Sequence, residues 1–159
     1  MADAKRRPLM FLHLDMGPPQ QIKGPSSEIR LIYRVHGGYF EGERVSGRVL
    51  PVVGDWASVK DGQITADVRM KLETHDGAGI LVSYEGITAL DQAAQMAMAN
   101  RGHLSGSLHY FRVLPVFKVD REEYAWLEKV ETFGVGTRFE DAIEYHVFEA
   151  EPAQCRKSR

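Results

Sequence analysis

A chain of 159 residues with 43% hydrophobic content supplies one domain, long enough to bury roughly two thirds of the surface its unfolded form exposes. Twenty Lys and Arg against 22 Asp and Glu leave a net charge of −2, too weak a field to hold a phosphate backbone or anionic lipid, so nucleic acid and membrane are not expected partners. The single cysteine, Cys155, excludes an internal disulfide and a thiolate metal cluster and fits a reducing, cytoplasmic setting.

The N-terminal Lys5-Arg6-Arg7 precedes an apolar stretch, but His13 and Asp15 cut it far short of a signal peptide's core. Nothing approaches the roughly 18 apolar residues of a membrane helix. Residues 9–14 are predicted as a first strand, ended by Gly17-Pro18-Pro19 because neither proline can donate to a ladder. Ile29, Leu31, Tyr33 and Val35 then alternate with Arg30, Ile32, Arg34 and His36, a period of two expected to stop at Gly37-Gly38. Residues 45–53 and 63–73 follow as strands with Asp61-Gly62 between them, and Asp76-Gly77 turns the chain into a strand over 78–87. The one expected helix covers 89–100, where Thr88 caps the first turn, Asp91 sits at the positive end and Ala and Met dominate before Gly102. Strands are predicted again over 107–113, 116–119, 128–133 and 143–150, with a helical turn over 121–125 and a frayed tail from 151 to 159.

About nine short antiparallel strands must manage their edges, and closing the sheet into a barrel removes them. The expected architecture is therefore a single all-β domain spanning residues 1–159, its core at about 9–150. It is an antiparallel barrel with one substantial helix and room for one small ligand. No repeat, linker or low-complexity tract divides it.

Read in order, Gly37-Gly38-x-Phe40-x-Gly42, Gly47-x-Val49-x-Pro51, Gly54-Asp55-Trp56, Asp67-x-Arg69, Thr74-x-Asp76-Gly77-Ala78, Tyr110-Phe111-Arg112-x-x-Pro115-x-Phe117 and Tyr124-x-Trp126-Leu127 resemble the bacterial and fungal family of domain of unknown function 3237. The resemblance runs over about residues 9–150. It implies a lipocalin-like β-barrel with a central cavity and no settled common activity. Some members are linked to breakdown of aromatic compounds, including lyase or decarboxylase steps on lignin-derived acids. Val52-Val53, His109 and Val113 depart from the family pattern and put the pocket shape in doubt.

Asp67, Arg69, Lys71 and Glu73 share one strand face opposite Val68, Met70, Leu72 and Thr74, which is how a solvated face with charge pairs is written. The functional alternative places Asp67 and Arg69 at the barrel mouth, the guanidinium gripping a substrate carboxylate. Asp55 after Gly54 suits an Asx turn, or else a general base raised in pKa against Trp56. Tyr84 and Tyr110 read as core phenols or as acids, with Tyr110 and Arg112 two residues apart on one face. His13, His36, His75, His103, His109 and His146 lack metal-ligand spacing, and Gly134-Val135-Gly136 lacks the setting of a dinucleotide fingerprint. No metal or cofactor is implied, and no nucleophile motif for covalent acyl transfer is present.

The expected function is a cofactor-independent lyase or isomerase acting by decarboxylation, elimination or ring opening on a small aromatic acid. Arg69 or Arg112 would clamp the carboxylate, Tyr110 or Tyr84 would move a proton and Asp55 or Asp67 would assist. Trp56, Tyr39, His109, Phe111 and Trp126 would wall a cavity opening where Trp56, Tyr110 and Arg112 meet. The runner-up is a non-catalytic barrel that binds a small aromatic molecule as a carrier or sensor. Homo-oligomerisation is left open.

Overall fold

Alternating burial defines the strands of the computed structural model, which describes residues 6–89, 92, 96 and 109–150, with the backbone alone at 88, 89 and 109–111. They are β1 (Arg7–Met16), β2 (Gln20–Lys23), β3 (Ile29–Glu41), β4 (Gly47–Val49), β5 (Val52–Lys60), β6 (Gln63–Thr74), β7 (Gly79–Ala89), β8 (His109–Val113), β9 (Val116–Val119), β10 (Thr132–Arg138) and β11 (Ala142–Glu149). A 3-10 helix spans Glu122–Glu128. All eleven strands join one antiparallel sheet in the order β8-β10-β11-β1-β3-β4-β6-β7-β9, with β2 added to β3 and β5 lying between β3 and β6.

The sheet closes on itself. β8 pairs with β10 at one end and β9 with β7 at the other, yet only Leu114-Pro115 separates β8 from β9 in the chain. Thr132 Oγ1 fastens that corner by donating to the Pro115 carbonyl at 3.0 Å. The architecture is the expected all-β barrel. Of the helix predicted over 89–100, Ala89 and the expected cap Thr88 instead end β7, Gln92 and Met96 are helical and exposed, and the rest lies outside the described residues. The tail predicted over 151–159 also lies outside them. Among the described residues no helix is long and apolar enough to cross a membrane.

Two expectations about strand ends are corrected. Gly37-Gly38 does not stop β3, which runs on to Glu41 while its partners change from β5 to β4 and from β2 to β1. The pair bends the strand at positive φ, and a Cβ at Gly38 would collide with the His13 carbonyl oxygen, so only glycine fits there. The strand predicted over 45–53 is two, because Leu50-Pro51 interrupts it, and β5 then carries Asp55 and Trp56 mid-strand rather than at an end. Asp61-Gly62 forms the expected two-residue hairpin, both residues at positive φ between the paired Lys60 and Gln63.

The interior is packed most completely at one end. Leu14, Phe40, Val35, Met70, Leu72, Ile80 and Val82 are almost fully buried. At the other end, where β6 and β8 begin and β10 stops, inward positions such as Ile29, Ile64, Ala66 and Gly86 keep partial exposure.

Candidate functional site

Gly54 sets the site. The β3–β5 register passes from Tyr33↔Asp55 to Arg34↔Val53, leaving Gly54 as the extra residue of a β-bulge, and such a bulge re-aims the next side chain. Gly54 and Asp55 are both buried in consequence, while Trp56 returns to the outer face. A Cβ at Gly54 would lie 2.3 Å from the Arg69 carbonyl oxygen, so the bulge requires glycine. Gly54→Ala is expected to destabilise the fold by about 3 kcal/mol, the upper end for overpacking, because the obstruction is backbone. Urea denaturation measures it; a loss below about 1 kcal/mol would mean the strands can part.

Across four strands the register aligns Tyr33, Asp55, Val68 and Tyr84 in one inward row. Arg138, the last residue of β10, closes the row from the other side: its Nη2 donates to Asp55 Oδ2 at 3.2 Å, and its guanidinium lies 4.4 Å over the Tyr33 ring. Tyr84 and Tyr145 share a hydroxyl–hydroxyl hydrogen bond, their rings edge to face. One layer nearer the open end, the row is Leu31, Ala57, Ala66 and Gly86. Ala57, Ala66 and Gly86 carry little or no side chain there, and a Cβ at Gly86 would meet only Val113 Cγ1, at 4.0 Å, among the described residues.

The electrostatics are those of a buried site. Asp55 is 4% exposed, and its Oδ1 is the one buried side-chain polar atom without a hydrogen-bond partner among the described residues. Burial pushes its pKa up, against the opposing pull of the Arg138 charge and hydrogen bond. Tyr84 is driven well above the ordinary phenol value by burial and then by the Asp55 charge, and burial likewise raises Tyr33. Both are neutral phenols near pH 7. Arg138 is charged, spends one N–H on Asp55, and keeps its side chain 11% exposed.

The sequence profile of the family described as "Protein of unknown function (DUF3237)" matches residues 4–150. The chain belongs to this family. It is 29% identical over 117 residues to the UPF0311 protein RPA1785 of Rhodopseudomonas palustris, covering 72% of this chain and 76% of that one. The crystal structure of a β-barrel-like protein from Acinetobacter baumannii superposes with a TM-score of 0.76 at 26% identity, covering 92% of this chain and 96% of its own. A structure described as an enzyme from Penicillium herquei superposes with a TM-score of 0.64 at 23% identity, covering 92% and 94%, a likeness of fold.

Of the residues expected from the sequence, Asp55 and Tyr84 stand in the family barrel's interior and the others described do not. Asp67 and Arg69 form a 3.6 Å ion pair on the outer face, with side chains 49% and 72% exposed, so the solvated-face reading holds and the pair adds little. Trp56 and Arg112 are exposed on β5 and β8, which do not pair, so they do not form the cavity mouth expected of them. Trp126 lies under the Arg44 guanidinium at 4.2 Å. In the β8–β10 register His109, Tyr110 and Phe111 stand opposite Arg138, Thr137 and Gly136; their side chains lie outside the described residues. Sequence reasoning missed Arg138, Tyr33 and Tyr145.

Tyr39, a proposed wall residue, is 43% exposed and stacks on His13 at 5.2 Å. The His13 ring nitrogens reach Asp15 at 3.0 Å and Glu144 at 3.1 Å. Burial is the largest single influence and lowers its pKa, but the two carboxylates together outweigh it and raise the value. A raised folded pKa gives stability that is full below the ordinary histidine value and lost as pH rises through the folded one. The stability difference between the wild type and His13→Gln is therefore expected to be larger near pH 5.5 than near pH 8.5 in urea titrations; a flat difference would contradict it.

Proposed function

We propose that the protein is a lyase or isomerase for a small aromatic acid, working by side-chain proton transfer inside the barrel. The observation that carries this reading is the unpartnered Oδ1 of buried Asp55 beside Arg138, because a buried acceptor left unmade costs stability that a function can justify. Arg138 would hold a substrate oxygen and stabilise the charge that develops on it. Asp55 would carry a proton from one substrate atom to another, or to a leaving group, and return to its starting state. In an isomerisation or decarboxylation the electron pair stays on the substrate carbon and takes the proton there; in an elimination the C–H pair becomes the new π bond while the leaving group departs with its own bonding pair and the proton, so no co-reactant is consumed. Neutral Tyr84 and Tyr33 would line the ring with donors that do not compete for the proton. The fold-level likeness to a protein described as an enzyme supports catalysis over a carrier or sensor role, and the single cysteine supports a cytoplasmic setting.

The test is a thermal-shift screen with phenolic acids, where a ligand at a hundred times its dissociation constant adds about 2.7 kcal/mol. Gly86→Leu is the control. A Cβ there meets only Val113 Cγ1, at 4.0 Å, among the described residues, so the larger side chain would take the position beside the Asp55 row that the proposed ligand needs. It is expected to abolish the ligand shift while leaving the ligand-free Tm equal or higher. Solvent deuterium entering the bound acid, followed by NMR, separates an enzyme from a carrier. Binding without exchange or conversion would favour the carrier, and no shift with any acid would remove the site.

A further inference from the structure

Asp55 and Arg138 meet through one hydrogen bond where two are available. Nη2 donates to Oδ2 at 3.2 Å; Oδ1 has no partner, and the other guanidinium N–H groups have no acceptor among the described residues. The pair therefore presents an unused acceptor and unused donors on either side of a single contact. A carboxylate alone cannot satisfy this edge. It would accept from Arg138 but set a second negative oxygen against Oδ1, and two carboxylates at close range do not both stay ionised. A group with a donor and an acceptor on the same planar carbon satisfies both sides at once.

We propose that the site receives such a group, so that an acid binds together with one proton held between its carboxyl and Asp55 Oδ1, whereas a primary amide binds with none. The inference rests on the acid-pocket reading and adds its charge state. Stoichiometry is simple: Asp55 carboxylate, ligand carboxylate and one solvent proton give a complex with one shared proton, and no bond other than to that proton is made or broken. Other groups around Asp55 do not supply it. Tyr33 on β3 and Tyr84 on β7 are held neutral, Tyr145 on β11 bonds to Tyr84, Val68 on β6 is apolar, and Arg138 on β10 is the cation that holds Oδ2. His109 on β8 stands opposite Arg138 in the backbone register, its side chain outside the described residues. Burial, which raises the Asp55 pKa, favours the proton-bearing complex.

Calorimetric titration of the wild type with 4-hydroxybenzoate and 4-hydroxybenzamide, in buffers of different ionisation enthalpy, counts the proton directly. Near pH 8 the acid is expected to take up about one proton and the amide none, and the acid's affinity should fall about tenfold per pH unit once Asp55 ionises. Asp55→Asn puts an N–H where Oδ1 was, so the acid should bind it without uptake and without that pH dependence. Equal proton counts for acid and amide in the wild type would overturn the inference and leave the acid pocket standing. Binding of neither compound would remove the pocket reading and the inference together. The wild-type comparison decides the matter even if the variant does not fold.

Discussion

Arg138→Met is expected to destabilise the protein by about 3–5 kcal/mol near pH 7, because it leaves the Asp55 carboxylate buried with no counter-charge and no hydrogen bond. The loss should depend on pH in one direction. Removing the guanidinium raises a folded-state pKa that burial already holds above the ordinary carboxylate value, so protonated Asp55 is tolerated and ionised Asp55 is not. Stability from a raised pKa is full below the unfolded value and lost as pH rises through the folded one. The variant should therefore approach the wild type toward about pH 4 and fall away above it. Urea denaturation across that range measures the trend, and Asp55→Leu with Arg138→Met should recover most of the loss, since an apolar pair of similar size needs no partner. A loss that does not change with pH would mean that Arg138 acts through its packing on Tyr33 instead.

Asp55→Asn carries the largest expected effect on chemistry. The amide keeps an oxygen for Arg138 and the shape of the side chain, but it cannot take or give a proton. Turnover of whichever acid the ligand screen identifies should fall by roughly a hundredfold to ten-thousandfold, the range that positioned acid-base groups supply. Ligand binding should survive. Tyr84→Phe offers the contrast: it removes a hydroxyl bonded to Tyr145 and held neutral, and should cost about 1–3 kcal/mol of stability with a smaller change in turnover. Unchanged exchange of solvent deuterium into the ligand with Asp55→Asn would take the proton carrier out of the mechanism.

Most of the barrel's parts are specified by local signals along the chain. Alternation along β6 places Val68, Met70 and Leu72 inside and Asp67, Arg69 and Lys71 outside, because side chains on a pleated strand change face at each residue. Asp61-Gly62 specifies its hairpin, since both residues accept the positive φ that a two-residue turn demands. Gly37-Gly38 was visible as punctuation while Leu50-Pro51 was read through as strand, and whether such a pair breaks or bends a strand depends on partners far along the chain. Asp55 was legible as a candidate and its orientation was not: the bulge at Gly54 arises from the pairing of β5 with β3, and without it the alternation cannot tell which face the carboxylate joins. Arg138 was invisible for a related reason. The strand was expected to end at Phe133, yet it runs on through Gly134, Val135, Gly136 and Thr137, and continuing the alternation of Thr132, Gly134 and Gly136 is the signal that would have placed Arg138 inward. Its partner lies 83 residues away, a separation that only closure of the sheet into a barrel brings to 3.2 Å. The sequence by itself determined strands, turns and the apolar face of each; the tertiary structure decided which polar residues share the interior, because in a closed barrel that is a property of register and not of any one strand.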